Sequence, residues 1–142
     1  MLAAAALVAV SAVTTWQVTR PQHDLPGPSA AAVRVATLSA PVGDGTVATV
    51  VVGQGRADVV TDALPPNAGR GTSYLLWGVQ AGDGTAPRVV GSFEITARGL
   101  HSYPVRLDRP ADGYPVLAIS EERTGALPAA PTSVIARGAL NR

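Results

Sequence analysis

The chain has 142 residues, and once the first thirty or so are set aside, about 110 remain, enough for one small domain that folds without a metal or disulfide. It has no cysteine, which excludes disulfide frameworks, thiolate zinc sites and cysteine nucleophiles. All eleven basic residues are arginine, scattered singly from Arg20 to Arg142 and offset by ten acids, so the net charge is +1. Nucleic-acid binding needs a clustered basic patch in the sequence, and none is present. The abundance of alanine, valine, glycine and proline, with no lysine, reflects a GC-rich genome.

Residues 2–18 are uncharged and dominated by alanine, valine and leucine. A helix needs about 17–25 apolar residues to cross a bilayer, so this run is marginal. Trp16 near its end suits a membrane interface. Three readings compete. The favoured one is a transmembrane helix over residues 1–20 that has lost its N-terminal end, with Met1 an internal methionine. A secretory signal peptide is weakened by the lack of a basic residue before the apolar run. A buried helix of the folded domain is disfavoured because the apolar character runs all the way round. Residues 21–32 contain three prolines and a glycine with no apolar period, and read as an exposed stalk. His23 beside Asp24 reads as a solvated pair rather than a metal site.

Residues 33–142 alternate valine-rich runs with turn signals. Strands are expected over residues 33–40, 46–52, 56–63, 73–80, 89–96, 101–107, 116–121 and 133–136. Gly43-Asp44-Gly45, Gly53-Gln54-Gly55, Gly82-Asp83-Gly84, Arg98-Gly99 and Ala111-Asp112-Gly113 mark the breaks. Short strands at this spacing, with no sustained helical period, predict an all-β domain: an antiparallel β-sandwich, immunoglobulin-like or related, preceded by the single apolar helix. Both faces of 46–52 are apolar, as in a central strand. In 73–80, Leu75, Trp77 and Val79 form the better core face, opposite Tyr74, Leu76 and Gly78. Trp77 and Phe93 are the largest expected core anchors.

Catalytic templates fail. His101 is the only histidine in the folded part and reads as a surface strand residue, with Ser102 its neighbour in sequence only. Adjacent carboxylates at Glu121 and Glu122 point to opposite faces of a strand, or are solvated if the strand has ended. Asp44, Asp83 and Asp112 lie in glycine turns without the alternating carboxylates of a calcium loop. A copper sandwich site needs two histidines and a cysteine, which the domain lacks. The expectation is therefore no enzyme, no cofactor and no metal.

The distinctive order is Leu64-Pro65-Pro66-Asn67-Ala68-Gly69-Arg70, then Tyr74-Leu75-Leu76-Trp77, then Gly91-Ser92-Phe93, then Leu117-Ala118-Ile119-Ser120-Glu121-Glu122, with Gly125 and Pro128 before a last strand. This order resembles the C-terminal domain of the anti-sigma-K factor (RskA) family. Leu64, Pro65, Pro66, Tyr74, Leu76, Trp77, Gly91, Phe93 and Glu121 carry the resemblance, which spans residues 33–137. It departs from the pattern at Ser120-Glu121-Glu122-Arg123, which lacks the proline that often follows the glutamate.

The resemblance implies a single-pass membrane protein whose β domain lies outside the membrane and whose cytoplasmic domain holds a sigma factor, released by proteolysis outside and then within the membrane. The partners it implies are the membrane through residues 2–18, an envelope protease, and a sigma factor reached only through a cytoplasmic domain that these 142 residues do not show. The competing reading is a secreted or membrane-anchored β-sandwich that binds a cell-envelope ligand or protein.

Overall fold

The computed structural model describes residues 32–80, 85–108, 111–125 and 127–141. The apolar run and most of the stalk lie outside these residues. No helix among the described residues is long and apolar enough to cross a membrane. Eight strands make up the fold: β1 (Arg34–Ser39), β2 (Thr46–Gly53), β3 (Arg56–Thr61), β4 (Thr72–Val79), β5 (Arg88–Phe93), β6 (His101–Arg106), β7 (Val116–Arg123) and β8 (Val134–Ala139). A single 3-10 turn at Ala111–Gly113 is the only helical piece among the described residues. Every expected strand is present within a few residues. The largest shifts are at the ends: β7 continues two residues past Glu121, β5 stops three residues short of Thr96, and β8 runs on to Ala139.

The strands form one sheet in the order β5-β4-β7-β8-β1-β2-β3-β6, with every pairing antiparallel. The all-β, antiparallel expectation holds, but the two separate sheets of a sandwich do not appear. Two four-stranded halves are joined through β8 and β1, and β5 and β6 approach each other at the remaining gap. There the Asp108 amide donates to the Val90 carbonyl at 3.0 Å. The result is a nearly closed barrel.

Both seams depend on glycine. Gly91 of β5 lies so close to β6 that a Cβ there would collide with the Val105 side chain and come within 2.9 Å of the Arg106 carbonyl oxygen. At the other seam Gly138 of β8 sits against the Thr37 carbonyl of β1, where only Ser39 and Arg137 are register partners within the strands. Side chains at either position would force the seam apart.

Alternation along each strand fills the barrel. Ala36 and Leu38, Ala48, Val50 and Val52, Ala57 and Val59, Val105, Leu117 and Ile119 all point inward and are buried. On β2 the intervening Val47, Thr49 and Val51 are half-buried, as expected for a strand flanked on both sides. Tyr74 and Leu76 of β4 face this core, and Tyr74 stacks on Phe93 with ring centroids 5.4 Å apart.

The face expected for β4 is therefore reversed. Leu75 and Trp77 are buried, but on the outside of the barrel, in a separate cluster with Ala118 that Val79, Val89 and Val134 border. Gly78 shares the inner face because the Tyr114 ring packs directly on it and leaves no room for a Cβ.

Strict alternation of direction gives the barrel two distinct ends. The chain comes in through Ala32 at one end, from which β1, β3, β5 and β7 run outward. Loops 40–45, 62–71, 94–100 and 124–133 therefore share the far end.

Candidate functional site

Two segments at the far end are fastened to the barrel by specific polar contacts, and the first of them contains Leu64, Pro65 and Pro66. The first is the loop from Thr61 to Gly71. The Thr61 hydroxyl donates to the Val47 carbonyl at 2.7 Å and accepts from the amides of Ala63 and Leu64, which turns the chain out of β3. Leu64 is then buried in the main core, Pro65 is exposed and Pro66 is half-buried. The Tyr74 hydroxyl donates to the Pro65 carbonyl at 2.9 Å.

Asn67 completes the fastening. It is 1 % exposed. Its side-chain oxygen accepts from the Ile95 amide at 2.9 Å, its side-chain nitrogen donates to the Thr72 carbonyl, and its own amide donates to the Ile95 carbonyl. Gly69 and Gly71 then take positive φ values of 74° and 73°, which sends the chain back into β4.

The second segment is 124–133, between β7 and β8. Glu121 and Glu122 do point to opposite faces, as strand geometry requires, but neither is a solvated loop charge. Glu121 faces the Tyr74 side, where its carboxylate accepts from the Thr72 hydroxyl at 2.6 Å. Burial pushes the Tyr74 phenol up to about 12; the Glu121 charge adds to the rise and Arg70 opposes it.

Glu122 faces outward and is nonetheless buried, at 5 % exposure. Trp77 Nε1 donates to Ser120 Oγ at 2.8 Å, and Ser120 Oγ donates to Glu122 Oε1 at 2.7 Å. From the folded-back segment, the Thr132 amide donates to Oε1 at 2.9 Å and its hydroxyl to Oε2 at 2.7 Å. Burial alone would raise the Glu122 pKa. The hydrogen bonds from Ser120 and from the Thr132 amide and hydroxyl outweigh it and hold the carboxyl below its usual value. One carboxylate thus ties segment 124–133 to the outer face and, through Ser120, to Trp77.

Of the residues singled out beforehand, Leu64, Pro65 and Tyr74 meet at the loop, Leu76 and Phe93 lie in the core beside it, and Gly91 lies at the seam. Trp77 belongs to the outer network. Glu121 reaches Thr72, and Pro66 makes no side-chain hydrogen bond. Asn67, Ser120, Glu122 and Thr132 were missed. The signal for Glu122 was available: Ser120 and Glu122 are two apart on one strand and so share a face.

Two shallow depressions flank the strap formed by 124–133. One, of about 450 Å³, is lined by Thr72, Glu121, Glu122, Arg123, Pro128 and Thr132. The other, of about 350 Å³, has Leu75, Val89 and Gly91 on its floor and the exposed Leu127 at its edge. No group of three or more potential metal ligands converges among the described residues. The donors around Glu122 are all hydroxyl or amide groups. They build a fastening between β7 and segment 124–133.

The family described as anti-sigma-K factor rskA, C-terminal, matches residues 1–135. The chain belongs to this family. The match takes in the apolar run and the stalk as well as the barrel through the start of β8. No curated protein and no solved structure matches the chain. Membership implies a regulatory domain of an anti-sigma factor rather than an enzyme, with a sigma factor as the partner of the system.

Proposed function

We propose that residues 33–142 form the extracytoplasmic regulatory domain of a single-pass, membrane-anchored anti-sigma factor, with 2–18 the membrane helix and 21–32 the stalk. The observation that carries this reading is the family match, which runs from the apolar segment through the barrel without a break. In this reading the sigma factor is held by a cytoplasmic portion of the full protein. Cleavage outside the membrane, followed by cleavage within it, releases the sigma factor. The barrel acts through its folded bulk and its far-end loops, governing whether an envelope protease reaches the proline-rich stalk. The buried fastenings of 62–71 and 124–133 fit this role, because loops pinned by several hydrogen bonds present a fixed surface.

The test is made in the native host. Residues 21–32 are deleted from the chromosomal gene, and transcription from promoters dependent on the cognate sigma factor is measured with and without envelope stress. The expected result is loss of the induced response, with the uninduced level held low. An unchanged response would mean that the stalk is not the regulated element. The DNA upstream of Met1 gives an independent check: an in-frame extension encoding a small helical domain beside a sigma-factor gene is expected.

A further inference from the structure

Charge on the barrel is sorted lengthwise, although the whole chain is nearly neutral. At the end where the chain comes in, Arg34 opens β1, Arg56 opens β3, Arg88 opens β5 and Arg106 closes β6. Asp58, Asp108 and Asp112 are the acids among the described residues at this end. At the far end Asp44, Asp62, Glu94, Glu121 and Glu122 outnumber Arg70, Arg98 and Arg123. Arg56, Arg88 and Arg106 are exposed. They are also neighbours around the barrel, because β6 pairs with β3 and borders β5 at the seam.

Arg56 and Arg106 are direct partners in the β3–β6 ladder. Like charges directly opposite one another destabilise a sheet. Arg56 is partly compensated by Asp58, at 3.0 and 3.1 Å. Among the described residues no carboxylate lies within ion-pair distance of Arg88 or Arg106. This arrangement costs the fold something and favours an anion. Guanidinium groups suit phosphate, which they can grip with two parallel hydrogen bonds.

Position supplies the partner. The uncharged run 2–18 lies upstream of this end, separated from β1 by about fifteen residues, which can reach at most about 50 Å. We propose that the entry end of the barrel, through Arg56, Arg88 and Arg106, docks on the anionic phosphate headgroups of the bilayer in which the chain is anchored. The proposal rests on the membrane anchoring put forward above. Tethering makes the contact intramolecular, so three weak electrostatic contacts suffice. Each arginine near an anionic surface shifts the docked population by about fivefold. Docking turns the acidic far end, with its two fastened loops, away from the membrane.

The full chain, which has no cysteine, is prepared with a single cysteine in place of Ala86 at the entry end or Asp44 at the far end, and each carries a donor fluorophore. Each is reconstituted into vesicles of phosphatidylcholine alone or with phosphatidylglycerol, both containing an acceptor lipid. Transfer from the Ala86 position is expected to rise in the anionic vesicles and to fall back at high salt. Arg88→Gln with Arg106→Gln is expected to lower the docked-to-undocked ratio roughly 25-fold. The Asp44 position should show little change throughout. Transfer from Ala86 that ignores lipid charge, or that survives the double substitution, overturns the proposal. An equal gain at Asp44 does the same. Both substitutions are at exposed side chains, and an unshifted tyrosinate titration of Tyr74 verifies that the barrel is intact. Flotation separates the two readings. A chain that floats with neutral vesicles but docks without regard to charge keeps its anchor and loses the docking surface, whereas one that floats with neither loses both.

Discussion

The Tyr74 hydroxyl donates to the Pro65 carbonyl at 2.9 Å, so the first inward residue on β4 holds the loop that precedes it. The ring of Tyr74 meanwhile stacks on Phe93 in the core. One side chain therefore couples the hydrophobic filling of the barrel to the placement of a surface loop. That coupling gives three separate sequence signals, a Leu-Pro-Pro loop, a Tyr-Leu-Leu-Trp strand and a Gly-Ser-Phe strand, a common structural reason.

Tyr74→Phe keeps the ring and removes the hydrogen bond. It should cost about 1–2 kcal/mol, because the Pro65 carbonyl loses its partner. Urea unfolding of the two proteins measures the difference. A change in midpoint at constant slope is expected.

The same phenol gives an alkaline signature. Burial raises its folded pKa from the ordinary 10.0 to about 12. The stabilisation this represents is fully present below pH 10 and is lost as pH rises toward 12, with a size of about 2–3 kcal/mol. Tyrosinate absorbance should show a late step from Tyr74. The late step should be missing in Tyr74→Phe.

Trp77 tests the outer cluster. Trp77→Ala removes a side chain that is 1 % exposed and should cost about 3–5 kcal/mol. Trp77→Phe preserves most of the packing but strips Ser120 of its donor, and about 1–2 kcal/mol is expected. Thermal unfolding followed by circular dichroism gives both values. If Trp77→Ala lost less than 1 kcal/mol, the outer cluster would not be holding the strap.

Much of this architecture was legible in the sequence, and the part that was not has an identifiable cause. Turn chemistry and alternation located all eight strands, because positive φ at Gly43, Gly55 and Gly99 is a local requirement. Pairing between β3 and β6, or β8 and β1, is non-local, so nothing in the strand pattern distinguished one nearly closed sheet from two. The face of β4 was misassigned because residues 74–78 are buried on both sides. Alternation carries no information where both faces of a strand are covered. Gly91 was recognised only as part of a pattern, and the seam supplies its reason. Glu122 was passed over because a carboxylate beside another carboxylate reads as surface, and two of its three donors come from Thr132, ten residues further along the chain.

Gly91→Ala tests the seam. The added methyl meets the Val105 side chain and the Arg106 carbonyl, a form of overpacking that costs about 1–3 kcal/mol. Val105→Ala should relieve the side-chain part of the clash but not the backbone part. The double variant should therefore be more stable than the sum of the single losses predicts, while remaining below the parent. Exact additivity would mean that the two strands do not touch there.

Glu122 sets the behaviour in acid. The hydrogen bonds from Ser120 and Thr132 hold its folded pKa below the ordinary 4.5, so the carboxylate form is favoured by folding. That stabilisation is fully present above pH 4.5 and is lost as pH falls through the lowered folded value. Protonation does more than remove charge, because the Thr132 amide and hydroxyl and the Ser120 hydroxyl all need an acceptor. Glu122→Ala leaves these donors unpaired and should cost roughly 2–4 kcal/mol at neutral pH. Glu122→Gln keeps an acceptor oxygen and should cost less, while abolishing this residue's share of the acid dependence. The decisive measurement is stability against pH for parent and Glu122→Gln. The two curves should converge as pH falls below 4.5, because the parent loses there what the amide never had. Parallel curves across that range would mean that the Glu122 carboxylate is not what ties the strap to the barrel.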